Sequence, residues 1–233
     1  METYDPLEIL YEDDWIIAIN KPAGLLVHRS SIATNTDVYA LQLLRDQVGF
    51  HVFPIHRLDR KTSGILLFAK DKTFVQAFQQ ALSSDESVKA YHAIVRGHFP
   101  QEVTLDYDLT NDKGKTQSAI THFKLIQNTE IDQPFGKFET SRYALIEARP
   151  KTGRMHQIRK HLNHLRHPII GDRPHGCNKQ NKLFLDKWGL TKMLLHAKEV
   201  ELQHPNLNKK LSIKAPLPKH FEQMLKTLQF VIN

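Results

Sequence analysis

The chain has 233 residues, room for one large domain with a substantial core. Hydrophobic residues at 40% and charged residues at 24% are ordinary for a globular protein, and no apolar run reaches the roughly 20 residues of a membrane helix. A net charge of +7 favours a polyanionic partner, and the single cysteine, Cys177, excludes an intrachain disulfide or a Cys-rich zinc site.

The N-terminal stretch METYDPLEILYEDD is acidic and lacks a signal pattern, so a cytoplasmic protein is expected. Trp15 to Ile19 is β-branched and aromatic and predicts a strand, stopped by Lys21-Pro22-Ala23-Gly24. NTDVYALQLLRDQVG predicts a helix capped by Asn35 or Thr36, with Val38, Leu41, Leu44 and Val48 as its stripe and Gly49 at its end. SGILLFAK predicts an apolar strand. DKTFVQAFQQAL predicts a second helix with Asp71 as cap and Phe74, Ala77, Phe78 and Leu82 on one face.

Strand patterns then dominate in VKAYHAIVRG, SAITHFKLIQ and SRYALIEARP. TGRMHQIRKHLNHLRHP predicts a helix with Ile158, Leu162 and Leu165 inward, stopped by Pro168. MLLHAKEVEL predicts a late strand. LPKHFEQMLKTL predicts a closing helix, with Pro218 at its start and Phe221, Met224, Leu225 and Leu228 inward. Strands follow strands, without regular βαβ alternation. The expected fold is α+β with a mainly antiparallel sheet, and no repeat or linker forces a boundary within residues 1–233.

Two segments concentrate charge. In HRLDRKTSG, Asp59 stands among Arg57, Arg60 and Lys61. Alone this reads as a charged turn, but the apolar strand that follows at once ties Asp59 to a rigid element, where a precise site belongs. The kinase His-Arg-Asp loop does not fit: Leu58 intervenes, and no Asp-Phe-Gly or Gly-rich phosphate loop is present. In RPKTGRMHQIRKHLNHLRHPIIGDRPHG, Arg154, Arg159, Lys160, Arg166 and Arg173 face only Asp172. Gly153 permits a tight turn at a helix start whose N–H groups could take a phosphate. This is a nucleic-acid footprint or a solvated basic face in about equal measure. His156, His161, His164 and His167 lack a carboxylate or thiol to complete a metal set. Tyr91, on the same strand face as Ala93 and Val95, reads as a core tyrosine or as an aromatic platform.

Together these segments resemble the RluA-type pseudouridine synthases. HRLDRKTSGILLFAK is similar to that family's Asp motif, KAYHAIVRG to its Tyr motif, PKTGRMHQIRKHLNHLRHPIIGD to its third motif and LLHAKEVELQHP to the segment after it. LEILYEDDWIIAINKPAGLLVH is similar to its first strands, so the likeness runs in order from about Leu7 to the last helix, with Asn111 to Lys137 departing most. The resemblance implies a single catalytic domain whose bent mixed sheet is flanked by helices around a central cleft. It leaves no S4-like segment before LEILYEDD.

It further implies an isomerase that turns uridine in RNA into pseudouridine without metal, nucleotide or organic cofactor. The branch most resembled acts on a T-stem uridine next to the acceptor stem of tRNA. By this likeness Asp59 is the catalytic carboxylate, Tyr91 stacks on the uracil and Arg159 pairs with the Asp, as a cation that keeps it ionised. His56, Arg57, Arg60, Arg154 and His156 become candidate RNA contacts. A monomer is expected. A ribosomal RNA substrate and a non-catalytic RNA-binding protein are the alternatives.

Overall fold

Runs rich in Ile, Val, Phe and Tyr become strands, and the segments with helical spacing become short helices. In a computed structural model, which describes residues 5–28 and 38–231, the first elements are β1 (Ile9–Glu12), β2 (Ile16–Lys21), α1 (Ala40–Val48), β3 (Phe53–Pro54), β4 (Ser63–Ala69) and α2 (Val75–Ser83), the last entered through a 3-10 turn at Lys72–Phe74. They are followed by β5 (Val88–Arg96), β6 (Glu102–Asp106), β7 (Leu109–Thr110), β8 (Thr116–Gln117), β9 (Ile120–Ile131) and β10 (Ser141–Pro150). The chain closes with α3 (Gln157–His164), α4 (Asn178–Trp188), β11 (Leu195–Gln203), β12 (Lys210–Lys214) and α5 (Lys219–Thr227). The caps proposed at Asn35 and Thr36 lie outside the described residues. Among the described residues, no helix is long and apolar enough to cross a membrane.

The chain forms two compact units, and neither is a single stretch. The first joins residues 1–89 to 197–216, and the second joins 90–196 to 217–233. In the first unit β2 pairs antiparallel with β1 on one side and β4 on the other, β3 pairs antiparallel with β4, and β11 pairs antiparallel with β12. Ile16, Ala18, Ile65, Leu67 and Ala69 of β2 and β4 pack with Phe78 and Leu82 of α2. Val200, Leu202, Leu211 and Ile213 of β11 and β12 complete this core. Asp71 caps the 3-10 turn that leads into α2 rather than α2 itself, its carboxylate accepting from the Thr73 N–H at 2.8 Å.

A second carboxylate closes the β1–β2 turn. One oxygen of Asp13 accepts from the Trp15 and Ile16 N–H groups, each at 2.8 Å. The other accepts from the Tyr11 hydroxyl at 2.7 Å and from Nε2 of the buried His204 at 3.0 Å. Nδ1 of His204 accepts from the Asn206 and Leu207 N–H groups, so this ring is neutral with its proton on Nε2.

The second unit holds four antiparallel strands in the order β5-β10-β9-β6. One face, with Ile94, Tyr143 and Leu145, is covered by Phe184 of α4 and by Phe221, Met224 and Leu225 of α5. The other, with Ala93, Val95, Ala144, Ile146 and Ala148, is covered by Ile158 and Leu162 of α3. Burial on both faces explains why the centres of β5 and β10, Ala93–Val95 and Tyr143–Ile146, are apolar at consecutive positions. The architecture is α+β and mainly antiparallel, as the order of sequence patterns predicts.

The structure departs from the sequence pattern in two helices. Helix α4 carries no clear stripe and was not expected. The third-motif helix begins only at Gln157, because Lys151 to His156 form a turn in which His156 takes a left-handed backbone with φ of 57°.

Candidate active site

The Asp59 loop joins β3 to β4 within the first unit. Leu58, 7% exposed, anchors it to the core, and the Thr62 N–H donates to the Asp59 carbonyl at 3.0 Å to close the turn. Asp59 is half-buried, while Arg57 and Arg60 are exposed. His56 turns inward. Its Nε2 accepts from the Leu67 N–H of β4 at 3.2 Å, and burial pulls its pKa down to about 4, against the opposing pull of the Arg57 backbone. A neutral ring tied to β4 brings no positive charge to a phosphate.

The charge that the sequence reading passed over is Lys21. It ends β2, and its side chain is fully buried. Its ammonium donates to the carbonyls of Pro22 at 3.0 Å, Leu25 at 2.9 Å and Arg60 at 3.2 Å, one for each of its three protons. Burial lowers the Lys21 pKa to about 7, and the negative charge of Asp59 pulls the other way. Gly24 and Arg60 reinforce the same junction. The Gly24 N–H donates to the Arg60 carbonyl at 2.8 Å, and Arg60 Nε donates back to the Gly24 carbonyl at 2.9 Å. The Lys-Pro-Ala-Gly turn and the Asp59 loop are thereby one rigid piece, with the buried Lys21 amine in electrostatic reach of the carboxylate.

In the second unit Tyr91 of β5 stands opposite Ala148 of β10 and is half-buried against the α3-covered face. Arg159 is buried on α3. Its Nε and Nη2 donate to the two oxygens of Asp172, at 2.7 and 2.8 Å. The Asp172 region is pinned in turn: Asn181 Nδ2 donates to its carbonyl at 2.7 Å, and the His175 N–H approaches its carboxylate at 3.3 Å. This two-point geometry fixes the plane of the guanidinium. The sequence marked Asp172 only as the lone acid in a basic stretch. Its role as the carboxylate that orients Arg159 is new.

Gln157 explains the late start of α3. Its side-chain oxygen accepts from the Thr152 hydroxyl at 2.7 Å and from the Arg154 N–H at 3.0 Å, and its amide nitrogen donates to the Ile120 carbonyl at 2.9 Å. The phosphate cradle expected at Gly153 is therefore corrected: helix geometry begins four residues later, and the Arg154 N–H is already engaged. Arg154 itself is half-buried, with Nε donating to the Ser118 carbonyl at 2.9 Å, and His156 Nδ1 lies 2.9 Å from His175 Nε2.

A family model described as RNA pseudouridylate synthase matches residues 15–164, which include Lys21, Asp59, Tyr91 and Arg159. A tRNA pseudouridine synthase C of Vibrio parahaemolyticus is 43% identical over 229 residues, spanning 94% of this chain and 93% of that protein. One of Salmonella typhi is 43% identical over 230 residues, spanning 94% and 88%. The solved structure of human RNA Pseudouridylate Synthase Domain Containing 4 superposes with a TM-score of 0.72 at 26% identity, covering 95% of this chain and 93% of that one. This chain belongs to the RNA pseudouridylate synthase family and is an isomerase, a pseudouridine synthase.

Proposed function

We propose that the enzyme acts on tRNA in the cytoplasm, converting the T-stem uridine next to the acceptor stem to pseudouridine, and that residues 1–233 work as one catalytic domain and as a monomer. The names of the relatives, tRNA pseudouridine synthase C, and the net charge of +7 support a tRNA substrate. The uridine is extruded from its stem at a cost of a few kcal/mol before the chemistry. Its C1′–N1 bond breaks, the uracil turns in the site, and C5 bonds to C1′; C5 then gives up its proton and N1 takes one up, so that no atom is gained or lost. The base never departs, so one carboxylate suffices where a glycoside hydrolase needs two.

Asp59 is that carboxylate, acting on the ribose either at C1′ as nucleophile or on the 2′ proton as base. The observation that carries this role is its place on a loop locked to β2 by the buried Lys21 ammonium. Tyr91 stacks on the uracil. Arg159, its plane set by Asp172, supplies a fixed positive charge. Arg57, Arg60, Arg154 and His156 are the RNA contacts, through their side chains.

The test has two arms. Purified protein and its Asp59→Asn variant are incubated with a tRNA transcript, and pseudouridine is mapped. The variant should bind RNA yet form no product; turnover by Asp59→Asn removes the carboxylate role. Pseudouridine maps of total RNA from cells with and without the gene read the substrate. Loss at the T-stem position supports the reading, and loss in ribosomal RNA instead replaces it.

A further inference from the structure

Tyr107, between β6 and β7 in the second unit, is 45% exposed, yet it is held from three directions. Its N–H donates to the Ala119 carbonyl at 3.0 Å. Its carbonyl accepts from His161 Nε2 at 3.0 Å. Its ring stacks on that of the exposed His164, with centroids 4.0 Å apart and planes 29° from parallel.

The support reaches deep into the unit. Facing a carbonyl, His161 Nε2 must carry the proton, so Nδ1 accepts from the Thr121 hydroxyl at 3.0 Å, and Thr121 accepts from Gln157 Nε2 at 3.0 Å. His161 and Thr121 are both fully buried. A chain of buried hydrogen bonds from the start of α3 thus ends on the backbone of one solvent-exposed aromatic residue. Core packing does not need this device, because the Tyr107 ring lies outside the apolar clusters of the unit.

Cations stand close by in the sequence and on the adjoining helix. Two residues after Tyr107 begins the β7–β8 hairpin, whose turn exposes Lys113 and Lys115. The turn is fixed by Asn111, whose side-chain oxygen accepts from both the Lys113 and Lys115 N–H groups at 3.0 Å. Lys160 of α3 reaches the hairpin, with Nζ 3.3 Å from the Thr110 carbonyl. Asp106, Asp108 and Asp112 match these three lysines in formal charge, so a stacked ring, and not bulk charge, sets what the surface selects.

A rigid aromatic face followed in the chain by a hairpin with exposed lysines fits an unstacked nucleotide. Every base offers a π-face, the phosphates on either side want cations, and a ring already fixed in place loses little entropy on binding. We propose that the outer face of Tyr107 is a stacking platform for one unpaired base of the RNA substrate, with Lys113 and Lys115 taking the neighbouring phosphates. The proposal rests on the RNA-substrate reading and adds a docking contact outside the residues assigned to the chemistry. Bases inside a duplex are already stacked, so the platform takes a nucleotide from a loop or an end.

Binding of a labelled, unmodified tRNA transcript and pseudouridine formation are measured together. Tyr107→Ala should weaken binding about 5- to 100-fold and raise KM accordingly, with the loss falling on KM rather than kcat. Tyr107→Trp, which keeps a large ring, should restore binding. A fully paired RNA hairpin closed by a minimal loop should lose far less affinity than the transcript does. The double variant Lys113→Ser, Lys115→Ser on the exposed turn should flatten the salt dependence of binding by about one to two units of slope. A Tyr107→Ala protein that binds the transcript within two-fold of the parent overturns the platform, and an unchanged slope in the double variant overturns the phosphate contacts. If the parent binds the transcript tightly but never forms pseudouridine in tRNA, the substrate reading fails while the platform stands or falls on binding alone.

Discussion

Arg159 and Asp172 meet through two hydrogen bonds of 2.7 and 2.8 Å, with 4% and 1% of their side chains exposed. Removing one member of such a pair strands the other charge in the interior, at a cost of about 3–5 kcal/mol. Asp172→Asn should lower unfolding free energy by that amount in urea and should reduce kcat, because the guanidinium loses the partner that sets its plane. Replacing both, as Arg159→Met with Asp172→Leu, should recover much of the stability and none of the activity. An Asp172→Asn protein within about 1 kcal/mol of the parent would show that the pair is not what holds α3 in place.

Lys21 gives a pH signature of unusual sign. Its folded pKa, about 7, lies below the ordinary 10.5. Between those values the unfolded chain holds a proton that the folded chain has released, so stability rises with pH across the window, by at most about 1.4 kcal/mol per pH unit. Below pH 7 the amine is protonated in both states and this gain is absent. Urea titrations of the parent and of Lys21→Met, from pH 6 to 10, should show the parent gaining on the variant as pH rises. Parallel curves would mean that the three carbonyls hold the ammonium charged throughout.

Gly64 sits five residues beyond Asp59 with φ of 107°, and a methyl group there would overlap the backbone carbonyl of Ala197. Both the dihedral and the overlap oppose any side chain, so Gly64→Ala should cost at least ~3 kcal/mol or leave no folded protein. Gly49, with φ of 80°, has open space around it, and Gly49→Ala should cost only about 1–2 kcal/mol. Thermal unfolding of the two variants side by side separates backbone strain from steric overlap.

Asp13 predicts an acid limb. Burial would raise its pKa, but hydrogen bonds from Ile16, Tyr11 and Trp15 outweigh that and hold it below the ordinary 3.8. Its contribution is complete above 3.8 and is lost as pH falls through the lower folded value. Asp13→Asn should therefore lose stability at neutral pH and show a flatter decline below pH 4 than the parent. Equal acid limbs would assign acid unfolding to other carboxylates.

How far the sequence led depends on how local each signal is. The stripe Ile158 and Leu162, the Asp71 cap and the inward Phe221, Met224 and Leu225 are set by neighbours a turn away, and all were legible. Helix α4 was not, since its buried residues are only Gln180 and Phe184, with Asn and Lys between. The left-handed Gly189 that ends it was the available signal. Asp59, Tyr91 and Arg159 stood out through motif likeness, and their roles rest on the experiments above. Lys21 looked like part of a turn because its burial depends on carbonyls from positions 22, 25 and 60, which no local pattern joins. Tyr107 was silent for the same reason: its brace comes from α3, more than fifty residues on.

The first unit closes late during synthesis. Its core draws on Val200, Leu202, Leu211, Ile213 and Ala215, which leave the ribosome more than a hundred residues after position 89. At 5–20 residues per second that is a wait of roughly 6–25 s. Through that interval the nascent strand Ile16–Lys21 and the wholly apolar Ile65–Ala69 lack the residues that complete their packing. The segment carrying Asp59 thus waits in the nascent chain without its packing partners, and a message cut short before residue 197 yields a chain inclined to aggregate.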